Sequence, residues 1–377
     1  MKIGVNGYEA VVPRFGFDKK TGLPIRVGSS EFAFRLIHEF SKDNKNSYIV
    51  YLPVNPTSDM PQENNSLKYS VFSAKKLWTI TGLLKRLLKD KEKIDVFFSP
   101  THYLPFFTPL PSVVSILDVS YLEYPELFKK RDLYQLKLWG GYSLRKSKKV
   151  ITISHSSKDG IIKAYGIFSD KVIVAYPGLA EKKNIKSMED IERKYGVKGK
   201  YILFVGTLQP RKNISRLIEA FSKLSDKDLT LVVVGKKGWM YEEILSSPKE
   251  LGVSNRVLFL DTVGDEDLPT FYKNAQFFIL PSLYEGFGLP VLEAMQYGCP
   301  VIISNVSSLP EAGGDAALYV DPEDASDITE KMEKLLKDSN LREDLIRKGY
   351  DQAKKFSWEK TAAQTIRALE EVVKNER

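Results

Sequence analysis

The sequence predicts an α/β protein with two doubly wound parallel sheets, each in its own domain. Three observations carry this. Short apolar runs of strand length alternate with amphipathic helical runs through both halves of the chain, the pattern of parallel strands covered by helices on both faces. A polar, lysine-rich stretch over residues 178–199 breaks the alternation, and an apolar run at 201–205 restarts it. The 377 residues correspond to two or three domains at about 150 residues each. The first domain is drawn over residues 1–180 and the second from residue 181.

The elements follow in order. In the first half, strands are expected at 2–6, 47–52, 96–99, 112–116, 150–153 and 172–175, with helices at 30–41, 77–88 and 133–144. The long uncharged stretch between Asp95 and Asp118 contains Pro100, Pro105, Pro109 and Pro111, which no membrane-spanning helix tolerates together. In the second half, strands are expected at 201–205, 229–234, 257–260, 276–280 and 301–304, and helices at 214–224, 241–246 and 268–273. A further helix opens with Pro290 at its first position, where a missing N–H costs nothing, and stops before Gly298 and Pro300. Ser357 is placed to cap a last helix over 358–373.

Composition narrows the class. Hydrophobic content of 43% and charged content of 28% are ordinary for a globular protein with proper cores. One cysteine, Cys299, allows no internal disulfide, and the N-terminus lacks the apolar core of a signal peptide, so a cytoplasmic protein is expected. Three histidines and one cysteine argue no zinc site. Asp265, Glu266 and Asp267 precede a helix and read as acids complementing its dipole. Residues 1–180 carry 27 Lys+Arg against 16 Asp+Glu, and the remainder 29 against 32, so a half at +11 precedes one at −3. The basic half is expected to meet an anionic partner or surface. The basic, aromatic stretches 75–93 and 129–149 are candidates for an anionic membrane face, peripheral to its inner side. No RNA-binding aromatic motif or helix-turn-helix cue supports nucleic acid as that partner.

Two segments carry chemistry. The first is Glu285-Gly286-Phe287-Gly288-Leu289-Pro290-Val291-Leu292-Glu293-Ala294-Met295, a glycine loop between a buried strand and a helix start. Free N–H groups at a helix start attract an anion, and two carboxylates beside it must face something else, such as sugar hydroxyls. The second is Gly206-Thr207-Leu208-Gln209-Pro210-Arg211-Lys212-Asn213 after the strand 201–205. Gly206 permits close backbone approach, and Arg211 with Lys212 puts two cations at a helix start, against its dipole. Such a placement costs stability unless an anion compensates, and a guanidinium beside an ammonium would neutralise a diphosphate leaving group.

The order Glu-Gly-Phe-Gly-Leu-Pro-x-x-Glu-Ala-Met resembles the paired-glutamate motif of the retaining glycosyltransferases of family 4. That resemblance implies the GT-B fold, two Rossmann-like domains facing across a cleft: an acceptor-side domain over 1–180, a donor domain over 181–355 and a terminal helix over 356–377 crossing back to the first. It implies hexosyl transfer, mannosyl as the first guess, from a GDP- or UDP-linked sugar to a glycan or lipid-linked saccharide, with no metal or other cofactor required. By the resemblance, Arg211 and Lys212 clamp the diphosphate with the backbone of Phe287, Gly288 and Leu289. Glu293 takes the ribose hydroxyls and Glu285 the hydroxyls of the sugar. Gly235 and Lys236 lie near the nucleotide, Val263 near the base, and the loop of Gly28 approaches the diphosphate from the other domain. Two departures stand out. Thr207 occupies a place where some relatives have arginine. Leu117 replaces the histidine that precedes Asp118 in many relatives, so His102, in the neighbouring loop, is the candidate to fill that space. A nucleotide-sugar epimerase of the same fold and a basic nucleic-acid-binding protein are the alternatives.

Overall fold

The computed structural model describes residues 1–12, 16–18, 21–74 and 77–376. The chain divides into two compact units, one of residues 1–178 with 357–377 and the other of residues 179–356.

The first unit is built on seven strands: β1 (Lys2–Asn6), β2 (Ser47–Leu52), β3 (Leu67–Val71), β4 (Val96–Ser99), β5 (Ser112–Ser115), β6 (Lys149–Thr152) and β7 (Val172–Val174). They pair in parallel in the order β3-β2-β1-β4-β5-β6-β7. The central strands are buried along their length because helices cover both faces, which explains their near-continuous apolar sequences. The winding reverses between β1 and β4, and such a reversal opens a crevice at the carboxyl ends of the two strands.

The expected helix at 77–88 is a π turn, Trp78–Gly82, followed by the helix Leu83–Asp90. That expected at 133–144 begins earlier, as Lys130–Gln135, and continues through Leu136–Gly140 and Gly141–Lys146. The final helix, Trp358–Glu376, shares a core with β1 and the helix Ser29–Ser41: Trp358, Leu369 and Val372 are buried with Ile3, Val5 and Phe32. Ser357 caps it, accepting from the Lys360 N–H at 3.3 Å. At its start the backbones touch, since a Cβ on Gly178 would lie 2.0 Å from the Trp358 nitrogen.

The second unit holds β8 (Tyr201–Val205), β9 (Thr230–Val234), β10 (Val257–Leu260), β11 (Phe278–Leu280), β12 (Val301–Ser304) and β13 (Ala317–Val320). Their parallel order is β10-β9-β8-β11-β12-β13, so here the winding reverses between β8 and β11. The helix after β11 is Leu289–Gln296, which starts one residue earlier than expected and puts Pro290 second, with Gly288 as its N-cap. Asp267 does not serve its helix as a dipole-complementing surface acid. It is buried, and its carboxylate accepts from Lys186 at 2.7 Å, from Tyr195 Oη at 2.7 Å and from Lys194. Those partners come from the lysine-rich segment before β8, whose helix Met188–Tyr195 is thereby tied to the helix Leu268–Asn274.

Candidate functional site

The two chemistry-bearing segments leave β8 and β11, the adjacent strands at which the second sheet reverses. Backbone and side chain sew their loops together. Leu283 N–H donates to the Arg211 carbonyl at 2.9 Å, and Arg211 Nη1 donates to the Tyr284 carbonyl. Asn213, left-handed at φ 59°, donates from Nδ2 to the carbonyls of Pro281 at 3.0 Å and Pro322 at 2.7 Å. Asparagine is among the few side chains that adopt this conformation readily. It ends the tight turn Pro210–Lys212, which turns both cations toward the β11 loop.

There they meet Glu285. Lys212 Nζ stands 2.5 Å from Oε1 and Arg211 Nη1 3.2 Å from Oε2. Glu285 is only 6% exposed and Lys212 8%. Ser282 Oγ also donates to Oε1 at 2.7 Å. Ser307 Oγ accepts from the Glu285 N–H at 3.0 Å, and Ser308 Oγ donates to its carbonyl at 2.8 Å. Burial alone would push the Glu285 carboxyl up; the charges of Lys212 and Arg211 outweigh it, with the bonds from Lys212 and Ser282, and pull it down to about 2. The anion that compensates the two cations is therefore the chain's own carboxylate. A carboxylate has about four acceptor positions, and three are used here, two on Oε1 and one on Oε2, among the described residues.

Glu293, on the helix Leu289–Gln296, has a different partner: Tyr272 Oη donates to its Oε2 at 2.9 Å. Tyr272 is 1% exposed, its ring stacked on Tyr297 with centroids 6.2 Å apart. Burial, reinforced by the Glu293 charge, pushes its hydroxyl well above the usual range, so it remains a donor.

The remaining predicted positions fall on the same carboxyl edge. Gly235 ends β9 pressed against the loop after β8, because a Cβ there would sit 1.9 Å from the Gly206 carbonyl oxygen. Lys236 continues the contact through its carbonyl, which accepts from Leu208 N–H at 2.9 Å. Val263 is buried after β10. Phe287 is buried edge-on to Phe356, with centroids 5.3 Å apart, and Leu289 opens the helix. Gly288 has φ 102°, and a Cβ on it would strike Leu309 at 2.7 Å. Sequence reasoning missed Ser282, Ser307, Ser308 and Tyr272, and also Gln209, which is buried with its Oε1 unpaired among the described residues.

In the first unit, Gly28 (φ 57°) precedes the helix Ser29–Ser41 with no side-chain cap bond, while Val27 N–H donates to Ser30 Oγ at 2.9 Å. Asp118 follows β5 and accepts from the N–H and Oγ of Ser120 at 2.9 and 2.6 Å, just before the turn Ser120–Glu123. His102 follows β4, its ring centroid 6.1 Å from that of Tyr103. Neither lines the cavity of about 330 Å³ that this unit holds, which Tyr8, Glu9, Ser29, Tyr103, Asp132 and Gln135 help enclose. Of the basic stretches, Lys75 and Lys76 lie outside the described residues. Trp78, Leu83 and Leu87 of the first stretch are buried. In the second, Tyr134 is 65% and Leu138 73% exposed. Among the described residues, no group of three or more His, Cys, Asp or Glu is arranged to hold a metal, and no helix is long and apolar enough to cross a membrane.

Comparison with known proteins places these features. The family described as "Glycosyl transferases group 1" matches residues 187–352, the span containing Arg211, Lys212, Glu285 and Glu293. The chain is 35% identical over 281 residues to O-antigen chain mannosyltransferase B of Escherichia coli, covering 72% of this chain and 73% of that protein. It is 32% identical over 245 residues to the serotype-specific mannosyltransferase WbdA of the same species, of which it spans only 29%. Among solved structures, Anabaena HepE in complex with UDP and glucose superposes with a TM-score of 0.73 at 18% identity, covering 98% of this chain and all of that one. At that identity the likeness concerns the fold, GT-B with its two parallel-sheet α/β domains.

Proposed function

The chain belongs to the glycosyl transferases group 1 family and is a glycosyltransferase; within that family, we propose, it moves a mannosyl group, with retention at the anomeric carbon, from a GDP- or UDP-linked donor to a saccharide or lipid-linked saccharide. The observation that carries the reading is the pairing of Arg211 and Lys212 with buried Glu285 where the strand order reverses. A site that holds two cations ready beside one internal anion suits a diphosphate, which exchanges for that anion as it arrives. The mannosyl assignment rests on two relatives named as mannosyltransferases, and the diphosphate on a neighbour solved with UDP.

In this reading Lys212 and Arg211 stabilise the charge that grows on the leaving phosphate as the bond to the sugar breaks. The carboxylate of Glu285, freed in that exchange, takes a hydroxyl of the sugar. Glu293, held by Tyr272, takes ribose hydroxyls, and the backbone of Gly288 and Leu289 offers N–H groups to the phosphates. The sugar passes through an oxocarbenium-like state. The departing phosphate removes the acceptor's proton on the same face, so the step needs no protein nucleophile. Asp118 and His102, beyond β5 and β4, complete the proposed set in the first unit. The enzyme works in the cytoplasm, at the inner face of the membrane.

A thermal-shift series with GDP, UDP and their mannose and glucose conjugates tests the donor. The true nucleotide at 100 times its Kd should add about 2.7 kcal/mol to stability. No shift with any of them would remove the donor assignment. NMR of the first product formed decides the stereochemistry, and an inverted anomeric centre would end the retaining mechanism. Interconversion of donors with no acceptor present would turn the reading to an epimerase.

A further inference from the structure

Two non-glycine residues with positive φ lie in the loops that meet around Glu285, Asn213 and Ser307. Asparagine takes that conformation readily; serine does so at a cost that glycine escapes. Ser307 has φ 53° and is half-buried in the loop after β12. Backbone strain of this kind persists only where the surrounding contacts enforce it, and it gathers where function needs an exact geometry.

What serine has over glycine here is a hydroxyl, and that oxygen accepts from the Glu285 N–H at 3.0 Å. Ser308 also departs from its ordinary use. It is the N-cap of the short helix Leu309–Gly313, a position where a serine side chain usually accepts from the first turn, yet it makes no cap bond. Fully buried, its Oγ donates to the Glu285 carbonyl at 2.8 Å. Leu309 comes next and packs under the far end of the glycine loop, 2.7 Å from where a Cβ on Gly288 would stand. The segment is fixed at its root, since Asn305 N–H donates to the Val320 carbonyl of β13 at 2.9 Å.

Consecutive serines thus hold both peptide planes of one residue. The Glu285 N–H belongs to the plane before its Cα and the carbonyl to the plane after it, so the χ angles are the freedom left to the side chain. That freedom has a use, because the carboxylate has two tasks in the transferase reading. It pairs with Lys212 and Arg211 before the donor arrives, and turns to a sugar hydroxyl when the diphosphate takes them. A side chain on a fixed backbone moves between a few staggered positions. On a loose loop it would arrive with scatter, and a displacement of about 1 Å can cost 10²-fold in rate.

We propose that Ser307 and Ser308 are positioning residues for the transfer: by holding the Glu285 backbone they set where its carboxylate meets the sugar once the cations release it. The proposal rests on the transferase reading. It also accounts for a serine at a place where the backbone favours glycine.

Ser307→Gly is the deciding variant, because glycine relieves the strain and removes the oxygen together. A role confined to the fold is served as well by glycine. The full chain is assayed for nucleotide released from GDP-mannose and UDP-glucose, with GDP and UDP titrations and thermal melts alongside. Ser307→Gly should lower kcat about tenfold, with KM, nucleotide affinity and the unfolding midpoint all near wild type. Should that variant not fold, Ser307→Ala should show the same fall in kcat at a lower midpoint. In a Glu285→Gln background the glycine should cost nothing further, since the carboxylate it would misplace is gone. Wild-type kcat in Ser307→Gly, a loss of nucleotide affinity that matches the loss of rate, or losses that multiply with those of Glu285→Gln overturns the proposal. No nucleotide binding and no release by wild type would strike the donor assignment, and the proposal with it.

Discussion

The two units reverse their strand order in the same way and place opposite chemistry at the reversal. Between β8 and β11, two cations are locked on one buried carboxylate. Between β1 and β4, carboxylates and aromatic rings surround an open cavity whose described lining has no cation. Bulk charge runs the other way: the half with +11 holds the acidic cavity, and the half with −3 holds the clamp. What decides a site is the set of charges brought within hydrogen-bond reach, since exposed charges farther than about 8–10 Å are largely screened at physiological salt. The excess lysine of the first half lies on its surface, as Lys129, Lys130 and Lys137 do.

Lys212→Ala should separate the two sites most widely. Turnover is expected to fall about 10²-fold or more, as for loss of one donor to a developing charge, while the cavity of the first unit is left untouched. Steady-state rates check the outcome. A smaller effect is expected for Glu285→Gln, which leaves buried Lys212 and half-buried Arg211 without their counter-charge and should cost the second unit about 3 kcal/mol, or roughly 6–12 °C in its unfolding midpoint. The folded-state pKa is depressed, to about 2 from 4.5. The stabilisation is therefore present above about pH 4.5 and lost as pH falls toward 2, so melts of wild type and variant should converge across that interval. A nucleoside diphosphate should restore the variant more than it raises wild type. The smallest effect belongs to Tyr272→Phe, which removes one hydrogen bond to Glu293. Donor KM should rise about fivefold, near 1 kcal/mol, with kcat unchanged, and a 2′-deoxyribose donor should be insensitive if Glu293 reads that hydroxyl.

Much of the architecture was legible because buried parallel strands write themselves as unbroken apolar runs, as Tyr201–Val205 and Val301–Ser304 do. Strands at sheet edges do not. β3, Leu67–Val71, buries only Leu67 and Ser70 and includes Lys68, and β13 follows the short turn Gly314–Ala316. The helix His155–Tyr165 escaped notice because it buries only Ser157 and Ile161, although Ser154 and Gly166 mark its two ends. In the candidate site, Arg211, Lys212 and Glu285 were readable as charges out of place for a helix start or a glycine loop. Their mutual engagement was not, since 73 residues separate Lys212 from Glu285. Tyr272 and Ser307 act across 21 and 22 residues without any motif, and the cavity lining is scattered from Tyr8 to Leu136. Asn213 was the one overlooked signal, an asparagine where a turn must go left-handed.

The helix Trp358–Glu376 supplies Trp358, Leu369 and Val372 to the core that surrounds β1. During synthesis, residues 1–178 therefore leave the ribosome lacking part of their own interior, and must wait while the whole of 179–356 is made. At ~5–20 residues per second that wait is on the order of ten to forty seconds. The unit translated first finishes last, its apolar face exposed in the meantime to whatever chaperone or membrane is at hand.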